Sequence, residues 1–219
     1  MKYLRKILLL AIASLIFFNC KGIVDPPEKE AAVYGKVTDQ NDNILTGVNV
    51  HYIFNLGIDV ELRNTSISYS VPSNQLITMQ IYNMSNIEVA KPVDKVNQLP
   101  GNYIVFFDGN NLTNGLYRYK ISGQSFNTEG TFPLLTHDIN KLVATSPSLI
   151  SDNNGEFKIS YSNLGIGRFI TVPNSQNHLV ISDSVRFVLH KTGYQDLISS
   201  VKLDTTKAFE KTFKMVRNN

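Results

Sequence analysis

The chain has 219 residues, of which 42% are hydrophobic and 18% are charged, with one cysteine and no tryptophan. This composition excludes wholesale disorder and a polytopic membrane protein, and the single cysteine excludes an internal disulfide framework or a cysteine-rich zinc site. The formal net charge of +3 belongs to the first 19 residues, which carry Lys2, Arg5 and Lys6 and no acid. Residues 20–219 are therefore formally neutral, which removes the main electrostatic argument for nucleic-acid binding.

The N-terminal segment has the pattern of an export signal. Its three basic residues precede an apolar stretch over residues 7–18 that is interrupted only by Ser14. This length suits the core of a signal peptide, whereas a membrane-spanning helix needs about 20 apolar residues. We therefore predict a signal helix within residues 1–19.

The apolar stretch ends in the letters FFNC, which resemble the cleavage point of a bacterial lipoprotein signal. In that family the peptidase cuts before a cysteine whose sulfur carries diacylglycerol and whose acyl chains, such as palmitate, hold the protein on a membrane. The resemblance implies lipid attachment at Cys20. Phe17, Phe18 and Asn19 stand where the family usually has a leucine-like residue and two small ones. The alternatives to lipid attachment are a plain secretory signal and an uncleaved anchor. We expect residues 20–32, which follow the signal, to form a polar tether.

From residue 31 onward the sequence alternates apolar and polar residues in short runs. The clearest runs are Phe157, Ile159 and Tyr161; Val185, Phe187 and Leu189; and Ile77, Met79 and Ile81. Such alternation places one apolar face of a strand against a core. Clusters of Asn, Asp and Gly separate the runs and favour tight turns. The pattern predicts an all-β fold made of β-sandwiches.

Residues 33–54, with the sequence VYGKVTDQNDNILTGVNVHYIF, resemble the opening of a carboxypeptidase regulatory-like domain. That family is a small transthyretin-like (prealbumin-like) sandwich. Its next elements are an Asp-rich turn before a strand, which matches residues 151–159, and a Gly-Tyr turn, which matches Gly193 and Tyr194. The resemblance covers residues 33–56 and 142–216, so it implies a discontinuous sandwich.

The intervening residues 60–135 resemble the Ig-like domain of flagellar hook-scaffold (FlgD-type) proteins and of type IX secretion C-terminal modules. The matching runs are SYSVP at 68–72, ITMQIYN at 77–83, FDGNN at 107–111 and NGLYRYKI at 114–121. Phe107 replaces the usual Trp and Asn86 a hairpin Gly, and both changes are physically mild.

Together these resemblances predict an Ig-like sandwich inserted in a transthyretin-like sandwich. The ends of an inserted domain must return to one loop of its host, so residues 56–64 and 136–140 would be the crossing linkers. The alternative is two sandwiches in series, with the N-terminal half completing the Ig-like sheet.

The sequence offers no constellation of catalytic, cofactor-binding or metal-ligating residues. The four histidines, which are expected to face solvent, lack metal-site spacing: His51, His137, His178 and His190. Residues 39–43 start like a calcium loop, but Ile44 and Val50 stand where such a loop needs Gly and Glu, so we predict a turn. Asp152, Asn154 and Glu156 form a second oxygen-rich group, for which a turn is again expected and a weak cation site is the alternative. In the run from Tyr117 to Lys120 the tyrosines face one way and the cations the other, so we do not expect nucleic-acid binding.

These observations favour a non-catalytic cell-envelope lipoprotein without a cofactor. It would be exported and anchored through acylated Cys20, on the periplasmic side or at the cell surface, and would present its modules for protein interaction, adhesion or assembly. Its partner would be an envelope protein or a polysaccharide. The alternative is a glycan-binding accessory lipoprotein with a platform drawn from Tyr52, Tyr161 and Tyr194. An envelope hydrolase is a third reading, which would need a Ser, a His and a carboxylate to converge.

Overall fold

The structure is a computed structural model that describes residues 28–171 and 178–218. The predicted signal helix, the cleavage point and Cys20 lie outside the described residues. Strands account for 56% of the structure and helices for 5%, so the predicted all-β fold is confirmed. No helix in the described ranges is long and apolar enough to cross a membrane.

Strands from both ends of the described chain share two sheets, which we call the flanking module. The strands are β1 (Ala32–Asp39), β2 (Asn49–Phe54), β9 (Leu149–Ile150), β10 (Glu156–Ser160), β13 (Ser184–His190), β14 (Leu197–Lys202) and β15 (Phe209–Met215). One sheet has the order β10-β1-β15 and the other β14-β13-β2-β9. Strand β1 pairs antiparallel with β10 and parallel with β15, while β2 pairs antiparallel with β13.

The six strands between β2 and β9 pair among themselves and form what we call the central module. A two-stranded sheet of β3 and β6 lies beside a four-stranded sheet of order β5-β4-β7-β8. The bounds are β3 (Asn64–Val71), β4 (Gln75–Asn83), β5 (Glu88–Gln98), β6 (Gly101–Asp108), β7 (Gly115–Ser122) and β8 (Asn127–Leu134).

Each module has its own apolar core, built from the inward-facing residues of its strands. In the flanking module Phe157, Phe187 and Phe213 join the two sheets, with ring centroids 5.6–6.2 Å apart. In the central module Ile77 and Met79 are fully buried. The alternating runs predicted from the sequence therefore supply core residues of β4, β10 and β13.

Two short helices and a hairpin complete the described fold. Helix α1 (Ile139–Val143) packs on β13, and helix α2 (Tyr161–Leu164) follows β10 directly. The hairpin of β11 (Phe169–Thr171) and β12 (His178–Val180) forms a separate two-stranded sheet. Tyr161, which the alternation assigned to a strand, begins α2 instead, because the side chain of Ser160 caps the helix by accepting from the Asn163 N–H.

At the base of the central module, a single β-bridge joins Leu62, in the first crossing connection, to Leu135, the residue before the second. Leu62 N–H donates to Leu135 O at 2.9 Å, and Leu135 N–H donates to Leu62 O at 2.8 Å. Both leucine side chains are buried in the core of the flanking module. The bridge therefore brings the start of β3 beside the end of β8.

Candidate functional site

A cleft of about 500 Å³ opens where the edge strands β3 and β8 diverge beyond the Leu62–Leu135 bridge. Strand β3 forms one wall, strand β8 the other, and the β11 end of the hairpin contributes to the lining. The lining residues from these walls include Asn64, Ser66, Ser68, Thr131, Pro133 and Phe169. We call this the β3–β8 cleft, and its volume is typical of ligand sites.

Main-chain groups of β3 point into the β3–β8 cleft. Gly109 N–H donates to Arg63 O at 2.8 Å, so these two residues form a hydrogen-bonded pair at the end of the β3–β6 ladder. Hydrogen-bonded and non-hydrogen-bonded pairs alternate along an antiparallel ladder. The even-numbered residues Asn64, Ser66 and Ser68 therefore turn their N–H and C=O groups away from β6 and toward the cleft.

Pro133 explains why β8 does not pair with β3 inside the cleft. Continuing the register of the Leu62–Leu135 bridge would place Asn64 opposite Pro133 and Ser66 opposite Thr131. Proline has no N–H to donate to a ladder and is confined to edge positions within sheets. The ladder accordingly stops after one bridge, and the two strand edges stay apart.

Large apolar side chains lie exposed beside this cleft. The side chain of Phe169, which lines it, is 76% exposed, although a phenylalanine that only served folding would be buried. On the outer face of the β3–β6 sheet, Phe106 is 81% and Ile104 60% exposed, opposite Ser66 and Ser68 respectively. Ile104 and Phe106 are neighbours on one face of β6, and exposed neighbouring apolar residues are typical of protein-interaction surfaces.

A buried arginine fixes the loop below the cleft. The guanidinium of Arg63, 9% exposed, donates to the carbonyl oxygens of Gly109 at 2.5 Å, of Asn110 at 3.0 Å and of Leu112. It also approaches Asn114 Oδ1 at 3.4 Å. Burial lowers the pKa of Arg63, but its planar fork still satisfies several carbonyls of one loop.

Asn114 extends this network to the second crossing connection. Its side-chain oxygen accepts from Thr136 N–H at 2.8 Å, and its amide donates to Thr136 O at 2.9 Å. Glu61 in turn accepts from the Thr136 hydroxyl at 3.2 Å and from His137 N–H at 2.8 Å. Because both connections are tied together, the base of the β3–β8 cleft is held by polar as well as apolar contacts.

A larger groove of about 660 Å³ lies on the outer face of the β10-β1-β15 sheet. Tyr34 lies at its centre, with Lys29 Nζ 5.2 Å and Lys158 Nζ 5.5 Å from the ring centroid. Both cations are already paired, Lys29 with Glu210 at 2.9 Å and Lys158 with Glu30 at 2.5 Å. The groove is therefore locally neutral, and exposed ion pairs of this kind contribute little to stability.

The prediction that the histidines face solvent is wrong for His51. Its side chain is fully buried on β2, with Nδ1 3.3 Å from Thr113 Oγ1, and Nε2 has no partner among the described residues. The pKa of His51 is lowered to about 4, chiefly by burial and then by the nearby His190, while Asp196 opposes the shift. His51 is therefore neutral at pH 7.

The other histidines are at least partly exposed, although Nε2 of His137 is buried and has no hydrogen-bond partner among the described residues. Nδ1 of His190 lies 2.7 Å from Asp196 Oδ1, and Nε2 of His137 lies 3.7 Å from Asp59 Oδ1. His178 lies exposed on β12. Residues 28–171 and 178–218 contain no group of three His, Cys, Asp or Glu side chains that could hold a metal ion.

The two oxygen-rich turns use their carboxylates within the turn itself. Asp39 Oδ1 accepts from Asn41 N–H and Asn43 N–H at 2.8 and 2.9 Å, and its other oxygen accepts from the Asn43 side chain. These bonds, led by that of the Asn43 side chain, lower the pKa of Asp39. Asp152 caps its own turn in the same way.

Two of the three tyrosines proposed as a glycan platform are buried. Tyr52 is 5% exposed and donates to Asn163 O at 2.9 Å, and Tyr161 is 8% exposed and donates to Lys207 O at 2.7 Å. Tyr194 is half-buried. These three residues therefore do not form an exposed stacking surface.

Comparison of the chain with protein-family models, with curated proteins and with solved structures found no match. The two domain resemblances and lipid attachment at Cys20 thus stay predictions. Sequence reasoning missed the β3–β8 cleft altogether. One signal was present, because Pro133 interrupts the strand pattern near the end of β8, where it marks an edge.

Proposed function

We propose that this protein is a non-catalytic cell-envelope lipoprotein that presents its β-sandwich modules for protein interaction, adhesion or assembly. The observation that carries the proposal is the β3–β8 cleft, where unpaired main-chain groups of an edge strand lie beside the exposed ring of Phe169. Free strand edges and exposed aromatic side chains are recurrent features of protein-binding surfaces.

Acylated Cys20 would hold the modules at a membrane through the short polar tether that follows it. Each buried CH₂ group of an acyl chain contributes about 0.8 kcal/mol, so a cysteine that carries more than one acyl chain gives stable membrane anchoring. The prolines at positions 26 and 27 would keep the tether extended and stand the modules off the lipid.

The anchor is tested with a Cys20→Ala variant of the full chain in its bacterial host. We expect the wild type in the membrane fraction with the added mass of its acyl chains, and the variant without that mass. Asn19→Ala is the matched control, because it keeps the cysteine and places a small residue before it. If the Cys20→Ala variant stays membrane-bound and has the same mass as the wild type apart from the substitution, the apolar segment is the anchor instead.

The interaction role is tested by crosslinking the wild type in intact cells with a photoreactive amino acid at position 66 or 169, in the cleft. We expect a discrete crosslinked protein, and the same probe at position 36, in the groove around Tyr34, serves as the control. If neither cleft position yields a protein adduct while polysaccharide retards the chain in an affinity gel, the glycan-binding alternative gains support.

A further inference from the structure

We infer that the β3–β8 cleft binds an extended acidic segment of a partner protein, which joins β3 as an added strand and places a carboxylate beside Arg168. This inference rests on the proposed function and names the kind of partner that the cleft would take. Strand addition to a free sheet edge is an established mode of peptide recognition, in which main-chain hydrogen bonds give affinity and side-chain pockets give specificity.

The first step is the supply of unpaired main-chain groups. Asn64, Ser66 and Ser68 each direct an N–H and a C=O toward the cleft, and no other strand of the described chain pairs with that edge beyond the Leu62–Leu135 bridge. Pro133 removes the donor that would face the Asn64 carbonyl, and β8 makes no ladder with β3 beyond the bridge. An added strand would restore the ladder that Pro133 interrupts.

The second step is the shape of the space. The cleft has a wall on each side, so a single extended segment fits between β3 and β8, whereas the edge of another folded sandwich does not. Leu116 and Ile170 lie among its lining residues, and Phe169 flanks it. Alternate side chains of a strand point to opposite faces, so the segment should alternate apolar and polar residues.

The third step is charge. Arg168 is the one charged residue among the described residues that line the cleft, and it is exposed. It forms no salt bridge with a described residue, and the neighbouring residues 172–177 contain no Asp or Glu. A carboxylate on the incoming segment would give this guanidinium a charge-assisted, bidentate partner.

The cleft walls also separate this occupant from a second copy of the chain. Two copies that paired through their β3 edges would be related by a two-fold axis, and each would present a folded sandwich to the space between β3 and β8. A single extended segment of a partner does not meet this steric problem.

The test uses the full chain, purified in detergent, and a fluorescein-labelled peptide of the sequence Thr-Val-Thr-Val-Thr-Val-Asp with an amidated C-terminus. Fluorescence anisotropy measures binding, and hydrogen exchange measures the main-chain N–H groups of Asn64, Ser66 and Ser68. We expect the peptide to slow exchange at these three groups at least tenfold. A peptide with Asn in place of Asp should bind at least fivefold more weakly, and one with N-methylated valines should not bind.

Two variants locate the binding. Ser66→Pro removes an N–H that faces the cleft and leaves the β3–β6 ladder intact, so we expect it to abolish peptide binding. Ser70→Pro is its matched control on the same edge, outside the cleft lining. Arg168→Glu should weaken binding at least tenfold, whereas Lys36→Glu, in the groove around Tyr34, should leave it unchanged.

Several results would overturn the inference. Protection elsewhere in the chain, or equal binding by Ser66→Pro and the wild type, would exclude strand addition to β3. Protection of the three N–H groups in the free chain would show that the chain fills its own cleft, and protection lost on dilution would show a second copy there. If Ser66→Pro does not fold, as judged by circular dichroism, Arg168→Glu and the Asp/Asn peptide pair decide the question alone.

Failure of this inference and failure of the proposed function give different results. A chain that is acylated and crosslinks to an envelope protein, yet ignores the peptide, has the proposed function and another partner. A chain that binds the peptide at β3 but carries no acyl mass has the cleft without the lipoprotein anchor.

Discussion

The ring of Phe157 lies directly over the backbone of Gly35, its partner across the β1–β10 pairing. A Cβ built on Gly35 would be 2.1 Å from Cζ of that ring, far inside van der Waals contact. The ring also contacts Phe187 and Phe213, so it cannot withdraw without opening the core. Position 35 therefore needs a residue without a Cβ, because the Phe157 ring of β10 occupies the space above β1 at this point.

We expect Gly35→Ala to lower the free energy of unfolding by about 2–3 kcal/mol, because the added methyl group overpacks a full core. Urea denaturation of the purified chain measures the change. Phe157→Leu alone should also destabilise, since it leaves a cavity. The double variant should lose less unfolding free energy than the two single variants lose together, because the smaller side chain at position 157 makes room for the methyl group at position 35. Strict additivity would mean that the two residues do not share this space.

Arg63 provides a second test, of the loop below the β3–β8 cleft. We expect Arg63→Met to cost about 1–3 kcal/mol of unfolding free energy, because the carbonyl oxygens of Gly109, Asn110 and Leu112 lose their donor and the first of these hydrogen bonds is buried. Arg63→Lys should recover part of the loss, since one ammonium nitrogen can donate to these carbonyls but cannot also reach Asn114 as the second guanidinium nitrogen does. The control is Arg118→Met, whose guanidinium is exposed and lies 3.7 Å from Glu129, and which should cost less than about 1 kcal/mol. Equal losses at both positions would contradict the structure.

His51 should make stability depend on pH. Its pKa falls from 6.5 in the unfolded chain to about 4 in the fold, so the unfolded state binds more protons between these values. Stability should therefore be complete above pH 6.5 and decline as the pH falls toward 4, by about 3 kcal/mol in all. His51→Leu removes the titrating group and should flatten this part of the profile in urea denaturation. An unchanged slope in the variant would assign the dependence to other groups.

We expect Pro133 to keep β3 and β8 apart and the cleft between them open. Pro133→Thr restores an N–H opposite Asn64, so we expect the β3–β8 ladder to extend and the N–H of Asn64 to exchange more slowly. Hydrogen exchange followed by NMR measures this directly. The matched substitution Pro72→Thr lies just after β3, away from β8, and should leave the exchange of Asn64 unchanged. If Asn64 exchanges at the same rate in both variants, another feature separates the strands.

Much of the sheet structure could be predicted from the sequence because one face of most strands is buried and the other exposed. Ile77, Met79 and Ile81 follow this rule, and their alternation places β4 correctly. The rule fails at β2 and β13, where His51 and Val188 are buried on the face opposite the sandwich core. Helix α1 and the loop at Thr113 cover that face, and alternation within a strand carries no information about what covers it.

The candidate site was harder to predict because it depends on which strand edges meet. Nothing in the local pattern of residues 64–68 or 131–133 shows that these segments lie side by side after a single bridge. The short helix α2 was more accessible, since Ser160 before it and the left-handed Gly165 after it are ordinary helix-capping signals. The alternation of Phe157, Ile159 and Tyr161 points to a strand instead, and it ends one residue too late.

The parallel pairing of β1 with β15 has a consequence for how the chain is made. Strand β1 emerges early, whether from the ribosome or from an export channel, but its two partners follow roughly 125 and 175 residues later. The central module, whose strands are contiguous, can acquire its structure as soon as it emerges, whereas β1 and β2 must wait with their apolar faces uncovered. Maturation of the flanking sheets is thus a late event, and any factor that shields nascent strands should act on residues 32–54.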